Sequence, residues 1–187
     1  MTVKDVLKTV ALLINRADIL DFFNNGYTDD YNEIEDDVNL LITCYNIVAD
    51  EIATEYYKLN MTEKFTCQNG VLKFSQFTKN PIIINSIKDD DGNDVKYKAL
   101  LGEITLDKPL VNVEYSYTPD TKGLDDISDY SSTPINKRVI AYGVATEYLL
   151  VKGAFEEAVV WHDKYVESLK GSVIKSKNKK LKGRIWR

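Results

Sequence analysis

The stretch from Asn69 to Leu100, NGVLKFSQFTKNPIIINSIKDDDGNDVKYKAL, decides the fold class of this chain, because the helical spacing of the residues before it is lost. Its short apolar runs are bounded by turn residues, which is typical of β-strands. Asn69-Gly70 predicts a type I′ turn that joins KFTCQ and VLKF in a hairpin, since both central positions of such a turn need a positive φ. We therefore expect a β block here.

Further strands are predicted downstream, at 81–87, 94–100, 102–106 and 110–117. Six short strands in about 55 residues favour a small antiparallel sheet or sandwich. The acidic run 89–94 resembles a calcium loop in composition. However, a residue other than Gly stands at its sixth position and strands flank it, so we interpret it as a solvated hairpin turn.

Helices are predicted on both sides of the β block, from apolar residues that recur every three or four positions. The expected helices cover residues 3–25, 29–58, 133–152 and 154–170, with Thr133-Pro134 as the cap and first residue of the third. In the fourth, one apolar stripe comprises Phe155, Val159, His162 and Val166, with Ala158, Tyr165 and Leu169 beside it.

Together these patterns predict an α+β fold, in which two N-terminal and two C-terminal helices form a bundle around an inserted antiparallel β-sheet. The expected organisation is an N-terminal helical hairpin at 1–60, the β insertion at 61–118, a loop at 119–132, the C-terminal helices at 133–170 and an extended basic tail at 171–187.

Chemical motifs are scarce in this sequence. It has two cysteines and one histidine, and it lacks the glycine-rich, zinc-binding and nucleophile patterns of the common enzyme classes. We expect Cys44 and Cys67 to be buried thiols and His162 to be a packed or half-buried structural residue. The sequence therefore predicts no catalytic residue, no cofactor, no metal site and no enzymatic activity, and no stretch approaches the roughly 20 apolar residues of a membrane span.

Tyrosine is abundant, with twelve among 187 residues. Strand preference for aromatic side chains explains some of them, but not Tyr27, Tyr31 or Tyr130. Tyrosine is enriched where proteins meet, so we interpret these three as interface residues.

The charge is distributed unevenly, which singles out the C-terminal tail. Residues 1–60 carry twelve Asp or Glu against four Lys or Arg, whereas residues 170–187 carry eight Lys or Arg and no acid. Such a tail can be a disordered solubilising segment, a nucleic-acid-binding segment or a docking segment for an acidic groove. The terminal Ile-Trp pair favours docking, and the predicted partner-binding residues are Lys175, Lys177, Lys179, Lys180, Lys182, Arg184, Ile185, Trp186 and Arg187.

The whole pattern resembles the head–tail adaptor (connector) proteins of tailed phages. The resemblance rests on the acidic N-terminal helices, on residues 69–98, on the strand VNVEYSYTP and on the helical stretch INKRVIAYGVATEYLLVKGAFEEAVVWHDKYVESL. It implies a non-enzymatic subunit of the virion that forms a ring, often a dodecamer, between the portal protein and further neck or tail proteins.

In that family the C-terminal segment grips the portal, a role that would fall on residues 172–187 here. The β block would meet neighbouring subunits or the next tail component. DNA would only pass through the lumen, and the acidic excess of the chain suits such a conduit because it repels phosphate. The alternative hypothesis is a nucleic-acid-binding module that uses the basic tail.

Overall fold

The computed structural model describes residues 1–26, 32–67 and 69–176, without the side chains of 32, 33 and 173–176. Within these residues the fold is mixed α+β, as expected, with five α-helices and two three-stranded antiparallel sheets. The chain divides into two compact units, which we call the helical unit (residues 1–49 and 121–187) and the β unit (residues 50–120).

The helices and strands follow one another in this order: α1 (Val3–Leu13), α2 (Ala17–Asn25), α3 (Asn32–Glu51), β1 (Leu59–Thr66), β2 (Val71–Lys73), β3 (Pro81–Lys88), β4 (Tyr97–Leu100), β5 (Glu103–Leu106), β6 (Leu110–Tyr117), α4 (Lys137–Val151) and α5 (Phe155–Ser176).

The first predicted helix, 3–25, is in fact two helices, so that prediction is wrong. Thr2 caps α1, because its hydroxyl accepts a hydrogen bond from the Asp5 amide while the Asp5 carboxylate accepts one from the Thr2 amide. The helix ends after Leu13 because Asn15 adopts a left-handed φ of 55°, a conformation that Asn tolerates better than most residues. The apolar residues of 3–25 keep the same helical spacing across the break, so the sequence pattern does not reveal it.

The second predicted helix, 29–58, is longer than the observed α3. After Glu51 the chain forms one π-helical turn, Ile52–Tyr56, and then becomes extended at Tyr57. Apolar residues spaced three or four positions apart form the buried face of this segment: Val38, Leu41, Tyr45, Val48 and Ile52.

The start of α4 also differs from the prediction. Asn136, and not Thr133, caps the helix, because its side-chain oxygen accepts hydrogen bonds from the amides of Arg138 and Val139. The Thr133 hydroxyl instead accepts from the Ile135 amide and donates to the Tyr130 carbonyl, which stabilises the turn before the helix.

The helix α5 continues to Ser176, so the predicted change to an extended tail at Gly171 is wrong. A single glycine weakens a helix by only about 1 kcal/mol, and no proline follows to stop it. The Ser172 hydroxyl donates to the Ser168 carbonyl one turn earlier. The remainder of the predicted tail, 177–187, lies outside the described residues.

Close packing inside the helical unit centres on Gly143 of α4. This helix contacts α1 and α5, and a β-carbon at Gly143 would lie 2.8 Å from Val48 Cγ1 of α3 and 2.9 Å from Tyr165 Cε2 of α5. The absence of a side chain at this position therefore allows three helices to approach one another. Tyr142 stacks on Trp161 beside it, with ring centroids 5.6 Å apart.

In the β unit the strand orders are β1-β6-β3 and β2-β5-β4. Asn69 and Gly70 both have positive φ, 55° and 72°, as the predicted turn requires. The predicted hairpin is nevertheless wrong, because β1 pairs with β6 and β2 pairs with β5. The turn fixes a local change of direction, whereas the eight-residue register with β6 decides where β1 lies.

The two sheets of the β unit share one hydrophobic core. Phe77 packs into this core, with its ring centroid 4.6 Å from that of Phe65 and 4.8 Å from that of Tyr115. These contacts join the chain between β2 and β3 to β1 and β6. The buried members of this core are Phe65, Cys67, Leu72, Phe77, Ile87, Val95, Ile104, Leu106, Val111, Val113 and Tyr115.

Candidate partner-binding surfaces

A network of ion pairs fixes the break between α1 and α2 against α3 and α4. The guanidinium of Arg16 donates to both oxygens of Asp18, to Asp37 Oδ2 at 2.6 Å and to the Tyr148 hydroxyl at 2.8 Å. Lys152, which follows α4, pairs with the other oxygen of Asp37 at 2.5 Å. Because Asp37 is buried and both of its oxygens are paired, this network holds the start of the α4–α5 connection in place.

The electrostatics of the network match its geometry. Burial alone would raise the pKa of Asp37, but the hydrogen bonds from Lys152 and Arg16 outweigh it and lower that pKa below its usual value. The pKa of Asp18 is lowered as well, chiefly by Arg16. Burial raises the pKa of the neighbouring Tyr148 to about 12. Near neutral pH both carboxylates are thus held charged and the phenol is held neutral, which suits a structural role.

The predicted apolar stripe of α5 (Phe155, Val159, His162 and Val166) faces away from the core. Phe155 is 64% exposed and Val159 59%, His162 is exposed and Val166 is half-buried. The core instead takes the stripe beside it, Ala158, Tyr165 and Leu169. The prediction of a packed or half-buried His162 is therefore wrong, because two neighbouring stripes of α5 are apolar and α4 covers only one of them. We call the exposed set the α5 stripe.

Acidic side chains border the α5 stripe. Glu156 lies in the first turn of the helix, and Asp163 lies two turns further on along the same side of the stripe. Both are exposed, and within the described residues neither of them forms an ion pair. Val151, the last residue of α4, and Val160 of α5 are exposed as well. This surface therefore combines apolar area with unpaired negative charge.

A second exposed apolar surface lies at the tip of the β4–β5 hairpin. Leu101 is fully exposed in the turn, and Tyr97 and Leu100 of β4 are exposed as well. The strand β4 is at the edge of its sheet, next to β5, and none of its four residues is buried. The neighbouring leucines Leu100 and Leu101 are a sequence signal for this exposed surface that the strand prediction missed. Successive side chains of a strand point to opposite faces of the sheet, so both leucines cannot enter the same core.

Positive charge accompanies this hairpin tip. Lys96 and Lys98 are exposed on and beside β4. Among the residues that the structure describes, neither lysine takes part in an ion pair. We call Lys96, Tyr97, Lys98, Leu100 and Leu101 the β4 tip.

The residues predicted to bind a partner mostly fall beyond these surfaces. Lys175 lies in the last turn of α5, and its side chain is not among those described. The other eight lie outside the described residues: Lys177, Lys179, Lys180, Lys182, Arg184, Ile185, Trp186 and Arg187.

The calcium-like run forms a turn, as predicted, but β3 and β4 on either side of it belong to different sheets and, among the described residues, are joined here only by the bridge between Lys88 and Asp94. Asp89 is also buried, so the prediction of a solvated hairpin is wrong in these two respects. The Asp89 carboxylate accepts hydrogen bonds from the amides of Asp91 and Asn93, at 3.1 and 2.9 Å, and lies 3.5 Å from Lys108 Nζ. The hydrogen bonds from Asn93, more than Lys108, lower the pKa of this carboxyl. Across the described residues, no group of three or more His, Cys, Asp or Glu is arranged to hold a metal ion.

The predicted burial of both cysteines is confirmed, and burial raises the pKa of the Cys44 thiol to about 11. One of the three tyrosines interpreted as interface residues is not at a surface. Tyr130 is buried, and its hydroxyl donates to the Ala49 carbonyl at 2.5 Å, so that interpretation is wrong for Tyr130. Tyr27 and Tyr31 lie outside the described residues.

Comparison with known proteins identifies no family for this chain. The chain matches no protein-family model, and a search of curated proteins found no significant relative. Within the described part of the chain, no helix has both the length and the apolar content that crossing a bilayer requires.

Proposed function

We propose that this chain is a structural head–tail adaptor of a tailed phage: a subunit of a homo-oligomeric ring in the virion that joins the portal protein to the neck or tail. In this proposal the N- and C-terminal helices form the bundle that builds the ring wall. The basic segment after α5 extends from that wall and docks on the portal, and DNA passes through the lumen.

The observation that carries the proposal is the course of α5. The helix has 22 residues and is therefore roughly 33 Å long. Leu169 is its last buried side chain as far as Ser172, where the description of side chains ends. Lys170 is exposed, and the six basic residues of 177–187 follow directly after the helix. A rigid helix that is anchored as far as Leu169 can present a basic segment to a separate protein.

The charge of the chain supports the same role. Residues 177–187 carry six Lys or Arg and no acid, so the rest of the chain has a formal net charge of −11, against −5 for the whole. An acidic body repels the phosphates of passing DNA, whereas a basic segment with Ile185 and Trp186 suits an acidic protein groove with apolar pockets.

The test is capture of the chain by purified portal protein of the same virion. Removal of 177–187 should abolish capture but leave the thermal melt unchanged, because the described core lies in residues before Ser172. Trp186→Ala alone should weaken binding by about 2 kcal/mol, as expected for an aromatic hot spot. Trp161→Phe, at the stacked position in the helical unit, is the matched control and should bind normally.

Undiminished capture of the truncated chain would contradict the proposed role of the basic segment. Capture lost equally in the Trp161→Phe control would indicate a general effect on the helical unit instead.

A further inference from the structure

We propose that the α5 stripe of one copy is the docking surface for the β4 tip of a second copy, in a head-to-tail contact. This inference rests on the proposed function, since it names the surfaces through which ring subunits would meet. It commits to a second copy of this chain as the occupant of the stripe.

Both surfaces expose apolar area that their own folds leave uncovered. On α5, Phe155 and Val159 are 64% and 59% exposed, and on the hairpin Leu101 is fully exposed. Burial of such side chains against another apolar surface is favourable. Contact between the two surfaces would therefore remove apolar side chains of both from water, which stabilises the contact.

Charge decides which surfaces match. The stripe is bordered by the unpaired acids Glu156 and Asp163, and the β4 tip carries the unpaired Lys96 and Lys98 among the described residues. Two stripes placed face to face would bring like charges together, as would two tips, and such juxtaposition is unfavourable. Stripe against tip brings opposite charges together.

The pairing has a consequence for assembly. A contact between two different surfaces of one chain is heterologous, and a pair of copies joined by one such contact keeps one stripe and one tip free. Further copies then add in the same direction until the assembly closes. Such a contact suits a ring, whereas a contact between identical surfaces would stop at two copies.

The first test is a charge exchange followed by sedimentation. Lys98→Glu and Glu156→Lys should each raise the dissociation constant of self-association about tenfold, because attraction becomes repulsion at a partly desolvated rim. When the two variants are mixed, the tip of the Lys98→Glu variant should bind the stripe of the Glu156→Lys variant, because the charges at that contact are again opposite. The double variant should recover self-association for the same reason. Lys88→Glu, at an exposed lysine on β3, is the matched control and should behave as the wild type.

The second test is cross-linking by a short bismaleimide, for which the chain is well suited because both native cysteines are buried. An equimolar mixture of Leu101→Cys and Val159→Cys should give cross-linked dimers, and the variant with both changes should give a ladder. Neither single variant should cross-link alone. Dimers from a single variant would show a contact between identical surfaces and overturn the inference.

The outcomes separate this inference from the proposed function. Oligomers that form normally but do not cross-link between these positions would overturn the contact and leave the ring intact. A wild-type chain that stays monomeric at all concentrations would also overturn the contact, while capture by the portal protein would judge the adaptor role independently.

Discussion

At the scale of the residue, Asp37 is the side chain on which the ion-pair network between the α1–α2 break, α3 and α4 depends most. It accepts hydrogen bonds from Arg16 and Lys152, and its side chain is nearly buried. Hydrogen bonds to charged groups contribute roughly 1.5–3 kcal/mol, and a buried partner left unpaired costs more than an exposed one. Removing this carboxylate should therefore affect stability more than removing its exposed neighbours would.

The first prediction concerns Asp37→Asn. The change should lower the free energy of unfolding by about 2 kcal/mol, because Arg16 and Lys152 lose the charge that they share. Denaturant melts of both proteins measure it. Asp36→Asn, at the exposed neighbouring position, should change stability by no more than about 0.5 kcal/mol. Equal effects of the two changes would contradict a structural role for the network.

The second prediction concerns pH. Since the pKa values of Asp37 and Asp18 are lower in the folded protein than their usual 3.8, both carboxylates stabilise the fold above that pH. Stability should therefore fall as the pH drops below about 4, where the folded protein resists protonation but the unfolded chain does not. In Asp37→Asn the free energy of unfolding, measured by denaturant melts at a series of pH values, should fall less steeply with decreasing pH. An unchanged slope would contradict the contribution of Asp37 to this pH dependence.

At the scale of the element, α4 and α5 contain two helical glycines with opposite surroundings. A methyl group at Gly143 would meet Val48 and Tyr165 at less than 3 Å, whereas one at Gly171 would meet nothing within 4 Å. Helix propensity favours alanine over glycine at both positions by about 1 kcal/mol, so their difference isolates the cost of packing.

The third prediction is that Gly143→Ala destabilises the protein by about 1–2 kcal/mol, because the overpacking of three helices outweighs the gain in propensity. Gly171→Ala should stabilise it by about 0.5–1 kcal/mol, since the position is exposed and helical. Thermal melts followed by circular dichroism compare them. Stabilisation by both changes would mean that α3 and α5 separate readily from α4.

At the scale of the whole molecule, the separation of charge between an acidic body and a basic C-terminal segment governs contact with DNA. The adaptor proposal and the nucleic-acid-binding alternative make opposite predictions here. Neutralisation of about five phosphates by the tail would give a log–log slope of affinity against salt of about −4 to −5.

The fourth prediction is that the full chain shows no such salt-dependent binding to duplex DNA, because its body has a formal net charge of −11. Fluorescence anisotropy with a labelled duplex, from low to physiological salt, measures this. The chain truncated before residue 177 is the control for any residual signal. A slope of about −4 that disappears on truncation would favour the nucleic-acid-binding module.

Local patterns in the sequence were sufficient for several features. The loss of helical spacing in the stretch from Asn69 to Leu100 predicted the β block, and strands occur in all six predicted places. The positive φ at Asn69 and Gly70, the turn at Asp89 and the capping of α1 by Thr2 were also predictable. Each of these depends on residues within a few positions of one another, and the physical rules that govern them are local.

Only the tertiary structure decided which surfaces are buried and which strands pair. The turn at Asn69 leads β2 away from β1, because β6 offers β1 a longer register. Of the two apolar stripes on α5, α4 covers the one that contains Tyr165 and leaves Phe155 exposed. The break at Asn15 is held by Asp37, which is distant in sequence and binds the adjacent Arg16. Each of these outcomes depends on the difference in free energy between alternative contacts of segments that are far apart in the chain. A single stretch of sequence does not contain both partners of such a contact, so it cannot predict the outcome.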